Sequence, residues 1–124
     1  MDRTSRHSDI VSNMNDYFYH ILGCGAIGSS AAIQLARMGA ENFALYDGDK
    51  VEQPNIGVSQ YNIKDVGKTK VECLYHHIIN ITGNKKTVDK YFGNFPKDND
   101  FQPMSQHNDI VILGFDIWHQ DLLL

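Results

Sequence analysis

Residues 17–47 read YFYHILGCGAIGSSAAIQLARMGAENFALYD and contain the clearest structural signal in the chain. The segment from Tyr17 to Gly23 is aromatic and apolar and ends in glycine, a pattern typical of a buried strand closed by a turn. From Ala26 to Met38 apolar residues recur at three to four residue spacing and Gly39 follows, which predicts a helix. The apolar stripe of this helix comprises Ile27, Ala31, Leu35 and Met38. Asn42 to Asp47 is strand-like again, so the stretch predicts a βαβ unit with a parallel sheet and a right-handed crossover.

A long connection and a second helix follow this unit. The connection from Gly48 to Val66 is unusually long for a compact domain, which is typical of functional loops, and we expect it to cover a ligand. A helix is predicted from Gly67 to Ile81, with Gly83 and Asn84 as stop signals. Its apolar stripe comprises Val71, Leu74, Ile78 and Ile81.

The complete pattern predicts an α/β fold, a Rossmann-like parallel sheet with flanking helices. Two further strands are predicted, from Thr87 to Phe92 and from Asp109 to Gly114. We expect the sheet to be truncated after this fourth strand, because the sequence stops soon after Asp116. In this interpretation residues 1–16 form an N-terminal arm or helix, and residues 17–124 form one Rossmann-like domain that is incomplete at its C-terminus.

Composition argues against several classes of function. The 124 residues suffice for one domain. Lys+Arg 11 against Asp+Glu 15 gives a net charge of -4 without a basic block, so nucleic acid is not expected as a partner. No apolar run approaches the roughly 20 residues of a membrane span, and no secretory signal is present, so we predict a cytoplasmic protein without membrane contact. Cys24 and Cys73 lack a CxxC partner and are expected to be reduced, packed thiols.

Three glycines between the first strand and the first helix have the spacing GxGxxG. The first permits a tight turn, the second lets backbone approach a phosphate, and the third lets helix and strand pack closely. Phosphate would lie at the helix N-terminus, where free N–H groups and the macrodipole favour an anion. The alternative interpretation is a tight turn without a ligand. The predicted phosphate-binding residues are Gly23, Gly25, Ala26, Ile27 and Gly28.

Charged residues beyond the glycines support a nucleotide site. Asp47 ends the second strand about 20 residues further on, where a carboxylate can accept hydrogen bonds from ribose, although loop-entry aspartates are common. Lys68 and Lys70 lie at the predicted start of the second helix, where the dipole disfavours cations by a few tenths to about 1 kcal/mol. They favour a bound polyphosphate, with a simple solvated helix start as the alternative. A P-loop is excluded because Asn62 stands where that motif requires glycine.

Four motifs together resemble the ThiF/MoeB/HesA family, which includes the activating enzymes of ubiquitin-like proteins. They are the glycine loop Gly23–Gly28, the run Asp47–Glu52, the pair Asn55-Ile56 and the run Asp65–Glu72. Their order and spacing are specific, and the resemblance extends from about Ser5 to Asp116. It is strongest to the ThiF-like branch of bacteria and phages.

The resemblance implies ATP and Mg²⁺ as cofactors and a homodimer as the assembly. It places Asp47 at the ribose, Asn55 and Lys70 at the ATP phosphates and Asp116 at magnesium. Arg6, in a segment similar to the family's N-terminal arginine motif, would act in the partner subunit's site. The substrate would be the C-terminal carboxylate of a ubiquitin-like or sulfur-carrier protein, which attacks the α-phosphate to give an acyl adenylate. Because that carboxylate is already ionised, the site must supply alignment and charge neutralisation rather than a general base.

One departure from the family pattern keeps other interpretations open. The family arginine that follows the asparagine is missing, with Val58 in this region, and Gln60 is expected to serve one position out of register. Asp49 completes the predicted cofactor-binding residues. A second hypothesis is therefore a truncated, catalytically inactive ATP-binding module or a partner of a complete homologue. A third is an NAD-dependent oxidoreductase, which the glycine loop and Asp47 alone would permit.

Overall fold

The computed structural model describes residues 14–53, 60–83, 87–93 and 108–114 of the chain. Strands and helices alternate along it. In chain order the elements are β1 (Tyr17–Leu22), α1 (Ala26–Arg37), β2 (Asn42–Asp47), a 3₁₀ turn (Ile63–Asp65), α2 (Lys70–Thr82), β3 (Thr87–Phe92) and β4 (Asn108–Leu113). Among these residues no helix has the length and apolar character needed to cross a membrane.

The four strands form a parallel sheet in the order β3-β2-β1-β4. Tyr19 pairs with Phe43 of β2 on one side and with Ile110 of β4 on the other. The chain adds β2 and β3 on one side of β1 and then places β4 on the other side, so the strand order reverses next to β1. In open α/β sheets, ligands bind at the carboxyl ends of the strands flanking such a reversal. The predicted Rossmann-like α/β fold is confirmed.

Both faces of the central strands are buried. One face packs against α1 and α2, and its core residues include Tyr19, Ile21, Phe43, Leu45, Ala32, Ile33, Ala36, Val71, Leu74 and Ile78. On the opposite face a second cluster contains Phe18, Leu22, Ala44 and Tyr46. There the ring of Tyr46 stacks on that of Tyr91 with centroids 4.6 Å apart. Burial on both faces explains why β1 and β2 have continuous apolar runs rather than an alternating pattern.

Only part of the apolar stripe that predicted α1 lies on its buried face, where Leu35 packs against the core. Ile27 and Met38 are 67% and 50% exposed, whereas Ala32, Ile33 and Ala36 are buried. The physical reason is the close approach of helix and sheet, because small side chains allow α1 to lie against the strands. The position of the helix was predicted correctly, and the face that it buries only in part.

The second helix begins three residues later than predicted. Gly67 has a φ of 89°, which a helix excludes, and Lys68 lies in the turn that follows. Thr69 caps the helix through its side-chain oxygen, which accepts a hydrogen bond from the Glu72 N–H at 3.3 Å. Lys68 therefore precedes α2, and Lys70 is its first residue. At the other end Gly83, with a φ of 78°, stops the helix as predicted, while Asn84 lies outside the described residues.

The third strand has its predicted bounds, and the fourth lies one residue earlier than predicted, at Asn108–Leu113. The proposed N-terminal arm, residues 1–16, falls almost entirely outside the described ranges. Within the described part, β4 is tied to the sheet by a side-chain contact as well as by its backbone. The Nε2 atom of the buried His20 lies 2.8 Å from Oδ1 of Asp109.

Candidate nucleotide-binding site

The turn between β1 and α1 requires glycine at two positions for different reasons. Gly23 has a φ of 98°, and its N–H donates to the Tyr46 carbonyl at 2.8 Å, so the chain reverses directly beside β2. A Cβ on Gly28 would lie 1.8 Å from the Gly23 carbonyl oxygen, a steric overlap that excludes any side chain at this position. The third glycine of the motif thus permits close contact between helix and strand.

Gly25 faces open space at the start of α1. A Cβ added there would meet no atom of the described residues within 4 Å, which leaves room for a ligand at this backbone. Gly25 is the N-cap residue, no side chain of the described residues caps the helix, and no acidic residue occupies the first turn. The first N–H groups of a helix have no intrahelical acceptor, and they favour an anion.

A fourth glycine, Gly114, joins this turn from the end of β4. Its N–H donates to the Leu22 carbonyl at 2.7 Å. A Cβ on Gly114 would lie 2.2 Å from the Gly23 carbonyl oxygen and 2.9 Å from the Gly28 Cα. The sequence predicts Gly114 only as the end of a strand. Because Gly23 and Gly28 are distant from Gly114 in the chain, the only sign of this contact in the sequence is that residue 114 is a glycine.

Asp47 ties the end of β2 to the glycine turn. Its carboxylate is 7% exposed, and its two oxygens accept hydrogen bonds from the backbone N–H groups of Cys24 and Asp49, both at 2.7 Å. Burial raises the pKa of Asp47, while these two bonds and the positive charge of Lys70 offset part of that rise. Each carboxylate oxygen retains a lone pair for a further donor.

Lys70 is brought to Asp49 by a short antiparallel pairing of the long connection. Lys50 forms an isolated bridge with Thr69, and the Lys70 N–H donates to the Asp49 carbonyl at 3.0 Å. The Lys70 side chain is 9% exposed, and its positive charge lowers the pKa values of Asp47 and Cys24. A largely buried lysine thus lies close enough for its positive charge to act on the Asp47 carboxylate and on Cys24 of the glycine turn.

Tyr61 is a site residue that the sequence analysis missed. It is 4% exposed, and its hydroxyl donates to the Cys24 carbonyl at 2.5 Å and lies 3.5 Å from the Lys70 carbonyl oxygen. Next to it, the Gln60 N–H donates to Oγ of Ser29 in α1 at 3.3 Å. The end of the long connection therefore packs against the glycine turn. An aromatic residue after a polar loop is a weak signal, so only the structure identifies this contact.

Most of the predicted site residues in the described ranges come together. The five phosphate-binding candidates form the turn and the start of α1, and Asp47, Asp49 and Lys70 adjoin them. Gln60 adjoins the turn through its backbone, and the residue itself is exposed. The remaining candidates lie outside the described residues: Arg6, Asn55 and Asp116.

The neighbouring cysteines and carboxylates do not form a metal centre within the described residues. No group of three or more histidine, cysteine, aspartate and glutamate side chains there could hold an ion. Cys24 and Cys73 are both free thiols and both buried, as predicted, and burial raises their pKa values. The arrangement therefore offers backbone N–H groups, one lysine and one buried carboxylate. That combination suits a phosphate chain and a sugar hydroxyl.

The family model described as the ThiF family matches residues 7–124, nearly the whole chain. The chain belongs to the ThiF family. The resemblance inferred from the glycine loop, the Asp47 run and the Lys70 run is therefore confirmed.

Curated relatives of this ThiF family member match over roughly half of the chain. The ubiquitin-like modifier-activating enzyme 5 of Oryza sativa subsp. japonica is 37% identical over 65 residues, covering 52% of the chain and 15% of the relative. A probable molybdopterin-synthase adenylyltransferase of Gracilaria tenuistipitata var. liui is 35% identical over 77 residues, covering 56% of the chain and 22% of the relative. The chain thus spans about a fifth or less of the length of these relatives.

Solved structures of related proteins share the fold. The structure of E. coli MccB with ATP has a TM-score of 0.64 at 26% identity, covering 69% of this ThiF family chain and 25% of that chain. The structure of selenomethionine PaaA has a TM-score of 0.66 at 31% identity, covering 78% of this chain and 30% of that chain. The similarity supports the Rossmann-like sheet, and this chain covers about a quarter to a third of each of those larger chains.

Proposed function

We propose that this ThiF family chain binds ATP at its glycine turn and serves in adenylation of the C-terminal carboxylate of a ubiquitin-like or sulfur-carrier protein. The observation that carries the proposal is the close packing of the Gly23, Gly28 and Gly114 backbones at the N-terminus of α1. Asp47 and Lys70 lie next to this turn. Two of its curated relatives carry names for adenylyl transfer or modifier activation, and the E. coli MccB structure holds ATP.

The phosphate chain would lie between the start of α1 and Lys70. The open space at Gly25 admits a phosphate to the backbone N–H groups, and Lys70 supplies a positive charge close enough to lower the pKa of Asp47. A lysine held at 9% exposure next to a carboxylate has less bulk water to stabilise it than a surface lysine. A polyphosphate would provide the additional negative charge. Asn55 and Gln60 are proposed to contact the same phosphates.

The nucleoside would lie at the end of β2. The carboxylate of Asp47 is oriented by two backbone donors, which fixes the directions of its remaining lone pairs. These lone pairs are proposed to accept hydrogen bonds from a ribose hydroxyl. Asp49 follows the turn that this carboxylate holds, and its side chain is exposed on the same loop. Both residues are proposed to select a ribonucleotide.

In the proposed reaction the substrate carboxylate attacks the α-phosphorus of ATP, a new P–O bond forms, and pyrophosphate leaves. The carboxylate is ionised at neutral pH, so catalysis consists of alignment and of neutralising the growing negative charge. The α1 N-terminus and Lys70 are proposed to do this within the chain, and Arg6 of a second copy in a homodimer. Asp116 would hold Mg²⁺, which would offset the charge of the pyrophosphate.

Calorimetric titration of the chain with ATP and Mg²⁺ tests the proposal. We expect binding of ATP but not of NADH, and a loss of affinity of at least about tenfold in Lys70→Ala, because a charge-assisted phosphate contact is removed. The matched control is Lys90→Ala, which removes a half-exposed lysine paired with Glu72 at 3.1 Å and should leave ATP binding unchanged. Binding of NADH without ATP would instead support the oxidoreductase hypothesis.

A second experiment separates an enzyme from an inactive ATP-binding module. Exchange of labelled pyrophosphate into ATP should occur when a candidate carrier protein with a free C-terminal carboxylate is added. It should cease when that carboxylate is amidated, because the amide is a poor nucleophile. ATP binding without exchange, with every carrier tried, would favour the inactive module and contradict the adenylation step.

A further inference from the structure

The peptide bond between Cys24 and Gly25 connects the buried interior with the open side of the glycine turn. Its carbonyl oxygen, on Cys24, accepts the hydrogen bond from the Tyr61 hydroxyl at 2.5 Å. Its N–H belongs to Gly25, where the space for a side chain is open. In a trans peptide the C=O and N–H groups point in opposite directions. With the carbonyl turned toward Tyr61 in the core, the Gly25 N–H is turned away from it.

This peptide unit needs an external restraint. The Cys24 N–H is held by Asp47, but the peptide after it can rotate about the bonds that flank it, through the ψ angle of Cys24 and the φ angle of Gly25. Glycine has no Cβ to oppose such a rotation, and it tolerates both signs of φ. The hydroxyl of Tyr61 opposes the rotation, because turning the carbonyl away would break its short hydrogen bond and leave this buried donor only the longer contact, at 3.5 Å, with the Lys70 carbonyl oxygen.

Tyr61 is itself well fixed. It is 4% exposed and belongs to the core cluster under α1 and α2. The N–H of its neighbour Gln60 donates to Oγ of Ser29. The hydroxyl of Tyr61 itself also lies 3.5 Å from the carbonyl oxygen of Lys70. Burial raises the pKa of Tyr61, so the hydroxyl keeps its proton and remains a donor.

We propose that Tyr61 is a positioning residue for nucleotide binding, which orients the Gly25 N–H toward a phosphate by holding the Cys24 carbonyl in the core. This inference rests on the ATP site proposed above. It assigns to Tyr61 a role without contact to the nucleotide, because its hydroxyl acts through one peptide unit.

The test compares two tyrosine variants. Tyr61→Phe removes the hydroxyl and keeps the ring, and Tyr19→Phe is the matched control. Tyr19 is also buried, and its hydroxyl donates to a backbone carbonyl, that of Met14, at 3.3 Å. We expect ATP to bind about three- to tenfold more weakly to Tyr61→Phe and unchanged to Tyr19→Phe, with similar small decreases in Tm.

Adenosine distinguishes positioning from a general structural effect, because it lacks phosphates. Its affinity, measured by NMR titration, should be the same in Tyr61→Phe as in the wild type. Equal weakening of ATP and adenosine, or wild-type ATP affinity in Tyr61→Phe, would overturn the proposal. If the wild type itself binds no ATP, the proposed function fails first and the positioning role falls with it. The titration of the wild type alone reveals that outcome, so it is distinguishable from a failure of the positioning role.

A measurement on the wild type covers the case in which Tyr61→Phe does not fold. Tripolyphosphate, a phosphate chain without a nucleoside, is added to ¹⁵N-labelled protein. The Gly25 amide resonance should shift strongly, since a charged acceptor changes the environment of its N–H. A Gly25 resonance that stays in place while other resonances of the turn move would overturn the proposal.

Discussion

Two buried aspartates in this chain hold backbone turns, and they do so in different environments. Asp47 holds the glycine turn, with both oxygens bonded to backbone N–H groups. Asp65 holds the turn before α2, where its Oδ2 accepts from the Asn62 N–H at 3.0 Å and lies 2.9 Å from Nε2 of His77. Asn62 completes that turn by accepting from the Lys64 N–H, so donors and acceptors satisfy one another.

The pKa values of the two carboxyls shift in opposite directions. For both, burial raises the pKa. At Asp65 the Asn62 N–H and His77 outweigh burial and bring the pKa below its ordinary value, whereas at Asp47 the bonds and Lys70 do not. In the turn at Asp65, hydrogen bonds and charge more than offset the effect of burial on the carboxyl, and we call it the complete turn. In the turn at Asp47 they offset that effect only in part. A buried carboxyl with a raised pKa beside an open backbone is a candidate for a functional site, whereas the partners of Asp65 account for its lowered pKa within a structural turn.

The largest expected effect comes from adding one methyl group to each turn. Gly28→Ala should destabilise the fold by more than about 3 kcal/mol, because its Cβ would collide with the Gly23 backbone. Gly67→Ala, in the Asp65 turn, meets no atom within 4 Å and has only its φ of 89° against it, so about 1 kcal/mol is expected. Urea denaturation of both variants measures the difference. Equal losses would show that the glycine turn is less tightly packed than described.

Neutralising each aspartate should separate binding from stability. Asp47→Asn places an amide donor against a backbone donor and removes the charge near Lys70, so ATP affinity should fall more than about tenfold. Asp65→Asn loses a charge-assisted bond to His77 and should cost about 2 kcal/mol of stability while changing ATP affinity by less than about threefold. Calorimetry and denaturation provide the two readouts. Similar ATP affinities in the two variants would remove the distinction between the turns.

The two aspartates should also contribute to acid stability with opposite signs. The lowered pKa of Asp65 stabilises the fold above the ordinary value of 3.8, and this contribution is lost as pH falls through the folded value. The raised pKa of Asp47 stabilises the fold at pH values below 3.8, and this contribution is lost as pH rises through the pKa of the folded state. Asp65→Asn should therefore flatten the loss of unfolding free energy on acidification, and Asp47→Asn should steepen it.

Denaturation curves over about pH 3 to 6 measure this smallest effect. Both variants are needed, because other carboxyls titrate in the same interval and only the difference between the two curves isolates these residues. If both variants change the slope in the same direction, the pKa shifts assigned to their environments are wrong.

Features that depend on neighbouring residues were predictable from the sequence. The apolar runs of β1 and β2, the glycine spacing and the stop at Gly83 are local, and each fixes a backbone conformation by itself. Asp47 and Lys70 were singled out by their positions after a strand and at a helix start, and the family resemblance then implied their roles. It did not predict that both oxygens of Asp47 hold backbone N–H groups, since that depends on the three-dimensional turn.

Features that depend on distant residues were not predictable. Gly114 approaches Gly23 and Gly28 only because β4 pairs with β1, and Tyr61 reaches Cys24 across 37 residues of chain. The apolar stripe of α1 marks its buried face only in part, for a related reason. Ile27 belongs to the apolar stripe of the helix but is exposed. The distance between the helix and the sheet decides which residues are buried, and the helical spacing of apolar residues does not predict that distance.

The most direct test of a ligand site at the glycine turn is NMR titration of the ¹⁵N-labelled chain with ATP and Mg²⁺. The amide resonances of Gly25 and Ala26 should shift strongly and saturate together, because their N–H groups would contact phosphate. Those of Asn62 and Asp65, in the complete turn, should move little. Large shifts at Asn62 and Asp65 with none at Gly25 and Ala26 would contradict the account.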